Sequence, residues 1–216
     1  MVRRLKVALK NYILIDMKKR IMDKVERALI DQIGVKPGDG IVVGVSGGAD
    51  SVSLLKVIQD LSIKFGLSVY AAHYNHGIRG ESADGDSRFV AELCACLNVP
   101  LIVERGDVPA HAAGHGQTLE QAARELRYGF LETARARFSA DYVAVAHHMD
   151  DQAESVLMHL FRGSGLKGLT GMRFKRDRII RPMLACRRKE IEEYLNEEGI
   201  PYRTDETNLV PEATRN

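Results

Sequence analysis

Ile41-Val42-Val43-Gly44-Val45-Ser46-Gly47-Gly48-Ala49-Asp50-Ser51 is the stretch around which the rest of the chain is organised. The apolar, β-branched run 41–45 has the length and composition of a buried strand. Two adjacent glycines then break it, and a helical stretch, Val52 to Leu61, follows at once. A strand that turns through glycines into a helix N-terminus is an anion site, because unsatisfied backbone N–H groups converge there and the helix dipole favours negative charge. Gly47 and Gly48 leave room for phosphate oxygens to approach the main chain. Ser46 and Ser51 add hydroxyl donors. Asp50 is out of place beside phosphate unless a Mg²⁺ lies between them. The loop is shorter than a Walker A loop and lacks its lysine. The alternative is an ordinary glycine-rich βα turn with an Asp or Ser cap.

Outward from this loop, strands and helices alternate. Met17, Ile21, Val25, Ala28 and Leu29 recur at helical spacing up to Gly34, and Val35 to Gly40 is a turn. Strands are expected at 67–73, 99–104, 141–146 and 179–184, with helices at about 82–97, 119–138, 151–163 and 187–198. Thr118 with Gln121 forms a capping box at one helix start, and Asp151 with Glu154 is a second capping pair. Residues 106–117 read as loop, in which His111 and His115 have no partner at useful spacing. The alternation predicts an α/β fold, a doubly wound and mainly parallel sheet with helices on both faces. Ligands bind such a sheet outside the carboxyl ends of its strands. The Ser46 loop, His73-Tyr74-Asn75-His76 and His147-His148-Met149-Asp150-Asp151 all fall at those ends, so the three clusters are expected on one rim.

A length of 216 residues suits one large domain. Charged residues make up 28% but the net charge is only +2, so the chain is no polycation, although a local basic face remains open. Three cysteines, Cys94, Cys96 and Cys186, have no disulfide-framework spacing and fit a reducing cytosol; the first two read as packing residues on a helix. No apolar run approaches the roughly 18 residues of a membrane span, and no signal-peptide core or cleavage site opens the chain. A soluble, cytoplasmic protein without membrane contact is the expectation. Residues 1–16 fit nothing in the later pattern and are set apart as an N-terminal extension.

One helix carries a charge clue. Leu119, Ala123, Leu126, Phe130, Ala134 and Phe138 make one apolar arc. Arg127 falls inside it and Arg124 at its edge, and a guanidinium on an apolar face requires an anion. A structural carboxylate, a phosphate and a substrate carboxylate are equal candidates. His147 and His148 beside three carboxylates exceed what a helix cap needs, and no His-Glu-x-x-His or Cys pair supports zinc. The stretch Arg162-Gly163-Ser164-Gly165-Leu166-Lys167-Gly168-Leu169-Thr170-Gly171-Met172 is either a helix end with its loop or a basic loop able to touch phosphate or RNA.

Ser46-Gly47-Gly48-Ala49-Asp50-Ser51 resembles the loop of the ATP-pyrophosphatase superfamily, whose members adenylate a substrate oxygen and release pyrophosphate. Further motifs sharpen the resemblance: His73 to Arg79 with Glu81-Ser82 and Asp86, His147 to Glu154, and Arg162 to Met172. Together with Arg181-Pro182, Asp205-x-Thr207-Asn208 and Arg215-Asn216, they resemble the tRNA(Ile)-lysidine synthetase family from Met17 onward. The resemblance implies an adenine nucleotide alpha hydrolase-like, Rossmann-like fold. It implies ligation of free L-lysine to carbon 2 of the wobble cytidine, in the anticodon loop of an isoleucine tRNA, through an adenylated cytidine. It also implies ATP and Mg²⁺, with Asp50 toward the metal. ATP contacts are expected from Ser46, Gly47, Gly48, Asp50, Ser51, His73, Arg124 and His147, and catalytic roles for Asp50, Arg127, Asp151 and Glu154. Residues 17–216 look like a catalytic domain that stops inside a family motif, without the tRNA-binding domains that usually follow. A homodimer is compatible with the resemblance. The competing readings are a tRNA thiolase of the same superfamily and a non-catalytic nucleotide-sensing module.

Overall fold

The computed structural model describes residues 18–77, 81–161, 163 and 170–203, with the side chains of 81–83 excepted. The N-terminal extension 1–16, Ile78 and Arg79, Arg162 and most of the glycine-rich loop, and the motifs at 205–208 and 215–216 lie outside the described residues.

β1 (Gly40–Gly44) lies at the centre of the sheet, and its Ile41, Val42 and Val43 are fully buried. Burial on both faces is what a β-branched run without polar alternation requires. β1 pairs in parallel with β2 (Ser68–Asn75) on one side and with β4 (Tyr142–Ala144) on the other. The six strands run in the order β3-β2-β1-β4-β6-β5. β3 (Leu101–Arg105) and β6 (Ile179–Ile180) continue the parallel pairing, and β5 (Lys175–Arg176) closes one edge antiparallel to β6. The chain winds outward from β1 through β2 to β3 and then crosses back to β4. The strand order therefore reverses between β1 and β4, where such sheets hold their ligands.

Alternation along β1 divides the core. Ile41, Val43 and Val45 face one side, packed with the helix over residues 18–27 (α1), which runs on into the π-helical turn Ala28–Ile33. Also on that side are α2 (Ala49–Phe65), α3 (Glu81–Cys96) and α7 (Arg188–Glu198). Val42 faces the other side, with Ala72, Val143 and Val145, against α4 (Val108–His115) and α5 (Leu119–Arg137). α6 (Met149–Phe161) has no fully buried residue. Among the described residues, no helix is long and apolar enough to cross a membrane.

The structure corrects the expected pattern in several places. The stretch expected as loop contains α4, capped by Asp107, whose Oδ1 accepts from the Ala110 N–H at 3.0 Å, and ended by the left-handed Gly116. Val108 and Ala112 bury this short helix in the core. His111 and His115 are therefore one turn apart and stacked, with ring centroids 4.1 Å apart, and His111 lies 3.7 Å from Glu125. The strand expected over 179–184 stops at Ile180, because successive turns fold Met183, Leu184 and Cys186 into the core. Cys94 is buried, which pushes its thiol up to about 11, whereas Cys96 is exposed rather than packed.

The capping box at Thr118 is complete. Thr118 Oγ1 accepts from the Gln121 N–H at 3.2 Å, and Gln121 Oε1 accepts from the Thr118 N–H at 3.0 Å. Thr118→Ala should destabilise the protein by about 1 kcal/mol and Thr118→Ser by much less, as read by urea unfolding.

Candidate active site

Two serines and a glycine shape the loop between β1 and α2. Ser51 Oγ accepts from the Ser46 N–H at 3.1 Å and donates to the Gly48 carbonyl at 3.0 Å, and the two hydroxyl oxygens lie 3.1 Å apart. Gly47 has φ +97°, a conformation that residues with a Cβ rarely adopt. Gly48 sits at the N-cap of α2 and offers no side chain to it, so the first-turn N–H groups remain for an anion.

Beside this loop lies a cleft of about 520 Å³ at the switch point of the sheet. Ser46, Asp50 and Ser51 line it from the loop, residues 73–77 from the end of β2, Arg127 and Leu131 from α5, and residues 145–147 from the end of β4. The three clusters read from the sequence thus share one rim.

The members of those clusters differ in how free they are. His73 is buried, with Nδ1 2.8 Å from the Val45 carbonyl oxygen and Nε2 3.0 Å from Ser87 Oγ. Both ring nitrogens are committed to the scaffold, and burial pushes the pKa of this imidazole below its ordinary value. His147 has a buried Nδ1 without a hydrogen-bond partner. Burial, then the charges of Arg181, Arg127 and Arg124, lower its pKa to about 4 against the opposing pull of Asp151. A neutral imidazole is available in the cleft at physiological pH.

Arg127 keeps the place its sequence position implied, although the helix is turned slightly from expectation. The buried stripe of α5 runs along Ala122, Phe130, Leu131 and Ala134, which leaves Leu119 half exposed. The Arg127 Nε is buried and unpaired, its guanidinium 5.4 Å from the Tyr128 ring centroid, and among the described residues no carboxylate pairs with it. Arg124 is exposed, 5.1 Å from the centroid of the same ring, and does not line the cleft.

The acidic cluster is arranged differently from the expected cap. α6 opens at Met149, so His148 rather than Asp151 precedes it. Asp151 Oδ2 accepts from the His148 N–H at 2.8 Å, and the Asp151 N–H donates to His148 Nδ1 at 3.4 Å. Glu154 takes no part in the cap and is exposed. Neither Asp151 nor Glu154 lines the cleft. Gln152 holds the end of the glycine-rich loop by both amide atoms, accepting from the Met172 N–H at 2.6 Å and donating to its carbonyl at 3.1 Å.

Asp50 has a partner that its sequence neighbourhood did not announce. The cation beside it is the guanidinium of Arg188, which donates to Oδ2, while Oδ1 is buried without a hydrogen bond and lies 3.7 Å from His148 Nε2. Burial raises the Asp50 pKa; Arg188 and His148 counter this, and Asp151 and Glu192 add to it. Sequence reasoning also missed Arg203, and it named Arg181 only as part of a family motif. The Arg203 N–H donates to the Gly47 carbonyl at 2.9 Å and its Nε pairs with Asp86 at 2.9 Å, strapping the loop from outside. Arg181 is buried, donates to the Arg173 carbonyl and keeps an unpaired Nε. No local signal could have revealed the Arg203 contacts, since Gly47 and Asp86 are remote from it in sequence.

The PP-loop domain family matches residues 17–216. A tRNA(Ile)-lysidine synthase of Clostridium perfringens is 43% identical over 201 residues, 93% of this chain and 42% of that protein. Its counterpart from Dehalococcoides mccartyi is 42% identical over 205 residues, 91% of this chain and 44% of that protein. The chain thus spans less than half the length of these curated relatives. Among solved structures, the U34-tRNA thiolase NcsA from Methanococcus maripaludis, with its [4Fe-4S] cluster, superimposes with a TM-score of 0.71 at 18% identity, covering 87% of this chain and 66% of that one. An NH3-dependent NAD synthetase from Campylobacter jejuni gives a TM-score of 0.56 at 16% identity, covering 87% and 74%. At these identities the two structures share the fold alone with this chain.

The low pKa of His147 sets a pH dependence. A histidine that is harder to protonate in the folded state withdraws stability as pH falls from the ordinary 6.5 toward about 4, and leaves it intact above 6.5. His147→Gln should flatten the loss of unfolding free energy between those limits. In the wild type, the NMR signal of the His147 ring should titrate near pH 4.

Proposed function

Because the chain belongs to the PP-loop family, we propose that its cleft binds ATP on the Ser46–Ser51 loop and adenylates the carbon-2 oxygen of the wobble cytidine in an isoleucine tRNA. Exchange of AMP for lysine completes the reaction. The observation that carries this reading is the unpaired Arg127 guanidinium, which shares one cleft with an uncapped helix N-terminus. Both lack an anion, and the phosphates of a nucleotide would satisfy both.

In the first step the cytidine oxygen attacks the α-phosphorus and pyrophosphate leaves. The first-turn amides of α2 and the hydroxyls of Ser46 and Ser51 hold phosphate oxygens, and Arg127 offsets the charge that grows at the reacting phosphorus. His147, neutral in the cleft, supplies a hydrogen bond without adding charge. In the second step the lysine amine attacks carbon 2 and AMP leaves. Its ammonium form must first give up a proton, and Asp151 and Glu154 are the carboxylates at hand to bind and deprotonate it. Glu154 is exposed and makes no ion pair among the described residues, so it is the freer of the two.

The residues fit a Mg²⁺ ion of the kind that arrives with phosphate. Asp50 Oδ1 has no hydrogen bond, and among the described residues no three His, Cys, Asp or Glu side chains converge on one cation position. Asp50 would supply the protein ligand and phosphate and water the remainder, the metal neutralising phosphate charge.

Two observations favour lysine over sulfur as the nucleophile. The lysidine synthases are about 42% identical over nine-tenths of the chain, against 18% for the thiolase structure. Cys94 and Cys186 are buried, with burial pushing the second thiol up to about 12, and no cysteine lines the cleft. The three unpaired thiols also suit a cytoplasmic setting.

Incorporation of labelled lysine into isoleucine tRNA with release of pyrophosphate tests the reading; uptake of labelled sulfur instead would overturn it. Arg127→Ala should slow formation of the adenylated tRNA about 10²-fold or more, even without lysine. Glu154→Gln should leave adenylation working and abolish lysine transfer, so that AMP-linked tRNA accumulates. Equal loss of both steps in a folded Glu154→Gln protein would move Glu154 from lysine to ATP.

A further inference from the structure

Arg188, the first residue of α7, is held on three sides. Its backbone N–H donates to Asp150 Oδ2 at 2.7 Å, its Nε to Glu192 Oε1 at 2.7 Å, and its Nη1 to Asp50 Oδ2. The helix that carries it does not move freely, because Ile191, Tyr194 and Leu195 are fully buried in the core shared with α2. The guanidinium is thus fixed between Glu192 and Asp50 before any ligand arrives.

A bridge that served only to join α2 and α7 would need nothing more from Asp50. Asp50, however, lines the cleft and has a second oxygen, Oδ1, that is buried without a hydrogen bond. A buried carboxylate oxygen left unsatisfied is costly, so a native site that keeps one has a use for it. His148 Nε2, at 3.7 Å, is too far to satisfy it.

We propose that Arg188 is the positioning residue of this site. By holding Asp50 through Oδ2, it fixes the carboxylate so that Oδ1 is kept for a divalent cation carried on the phosphates of the nucleotide. Its charge also offsets the carboxylate that would otherwise repel those phosphates. Glu192, by holding Nε, keeps the guanidinium from turning toward the phosphates itself. The inference rests on the nucleotide-binding reading of the cleft and assigns a role to a residue of α7 that does not line it.

Mn²⁺ binding in the presence of a non-hydrolysable ATP analogue, followed by electron paramagnetic resonance, tests this without turnover. Arg188→Ala should weaken Mn²⁺ in the ternary complex about tenfold or more, the usual loss when a group that orients a metal ligand is removed. Arg188→Lys should recover part of it. Asp50→Asn should also weaken Mn²⁺, and adding Arg188→Ala to it should cost little further. Mn²⁺ affinity unchanged in Arg188→Ala and in Arg188→Gln, with only the melting temperature lowered, would overturn the proposal and leave a structural bridge. Fully additive losses in the double variant would overturn it as well. A wild-type protein that holds no nucleotide would overturn the adenylation reading and this inference together.

Discussion

A helix that begins at the exit of a strand buried on both faces has first-turn N–H groups that cannot be satisfied by regular structure, and here a glycine at the cap position satisfies none of them. The rest of the molecule accommodates that constraint. The central strand fixes where the amides point, Gly47 makes the turn, and Ser46 with Ser51 holds its shape through hydrogen bonds within the loop. Arg203 ties the Gly47 carbonyl from outside. The walls of the cleft come from the neighbouring strands β2 and β4, whose carboxyl ends are level with the loop because all three strands run in parallel.

Charge in this region is arranged in halves that lack their complements. Arg127 and Arg181 each keep a buried guanidinium nitrogen with no acceptor, and Asp50 keeps a buried oxygen with no donor. Close to the arginines, His147 is held neutral, which avoids adding a further cation to a poorly solvated site. On the other side, Asp50, Asp150 and Glu192 are gathered around Arg188. Among the described residues, neither half has its complement. A ligand carrying both phosphate oxygens and a cation, as proposed for this cleft, would answer both at once.

What could be read beforehand was local. The β-branched run 41–45 becomes the buried central strand within one residue, and the Thr118–Gln121 box forms as its spacing implied. Arg127 lines the cleft from its helix, and its Nε has no hydrogen-bond partner among the described residues. The misses were also local in origin. Alanine, glycine and histidine over 108–115 carry little apolar periodicity, yet Asp107, Pro109 and Gly116 bound a helix there, and two buried contacts suffice to hold it. Asp151 and Glu154 have the spacing of a capping box, but the helix begins earlier, and His148, three residues before Asp151, takes the cap position instead.

The sequence by itself determined the alternating architecture, the glycine-rich turn from strand into helix and the three polar clusters at one rim, because each follows from residues within a few positions of one another. Only the tertiary structure decided what those groups do to each other. Asp50 meets Arg188 across 138 residues, His73 is bound to Ser87 on a different element, and Arg203 reaches back to Gly47. Periodicity and capping report which face of an element is buried. They do not report which remote side chain arrives beside it, because that depends on how the helices pack against the sheet, and the packing is settled by the whole core at once.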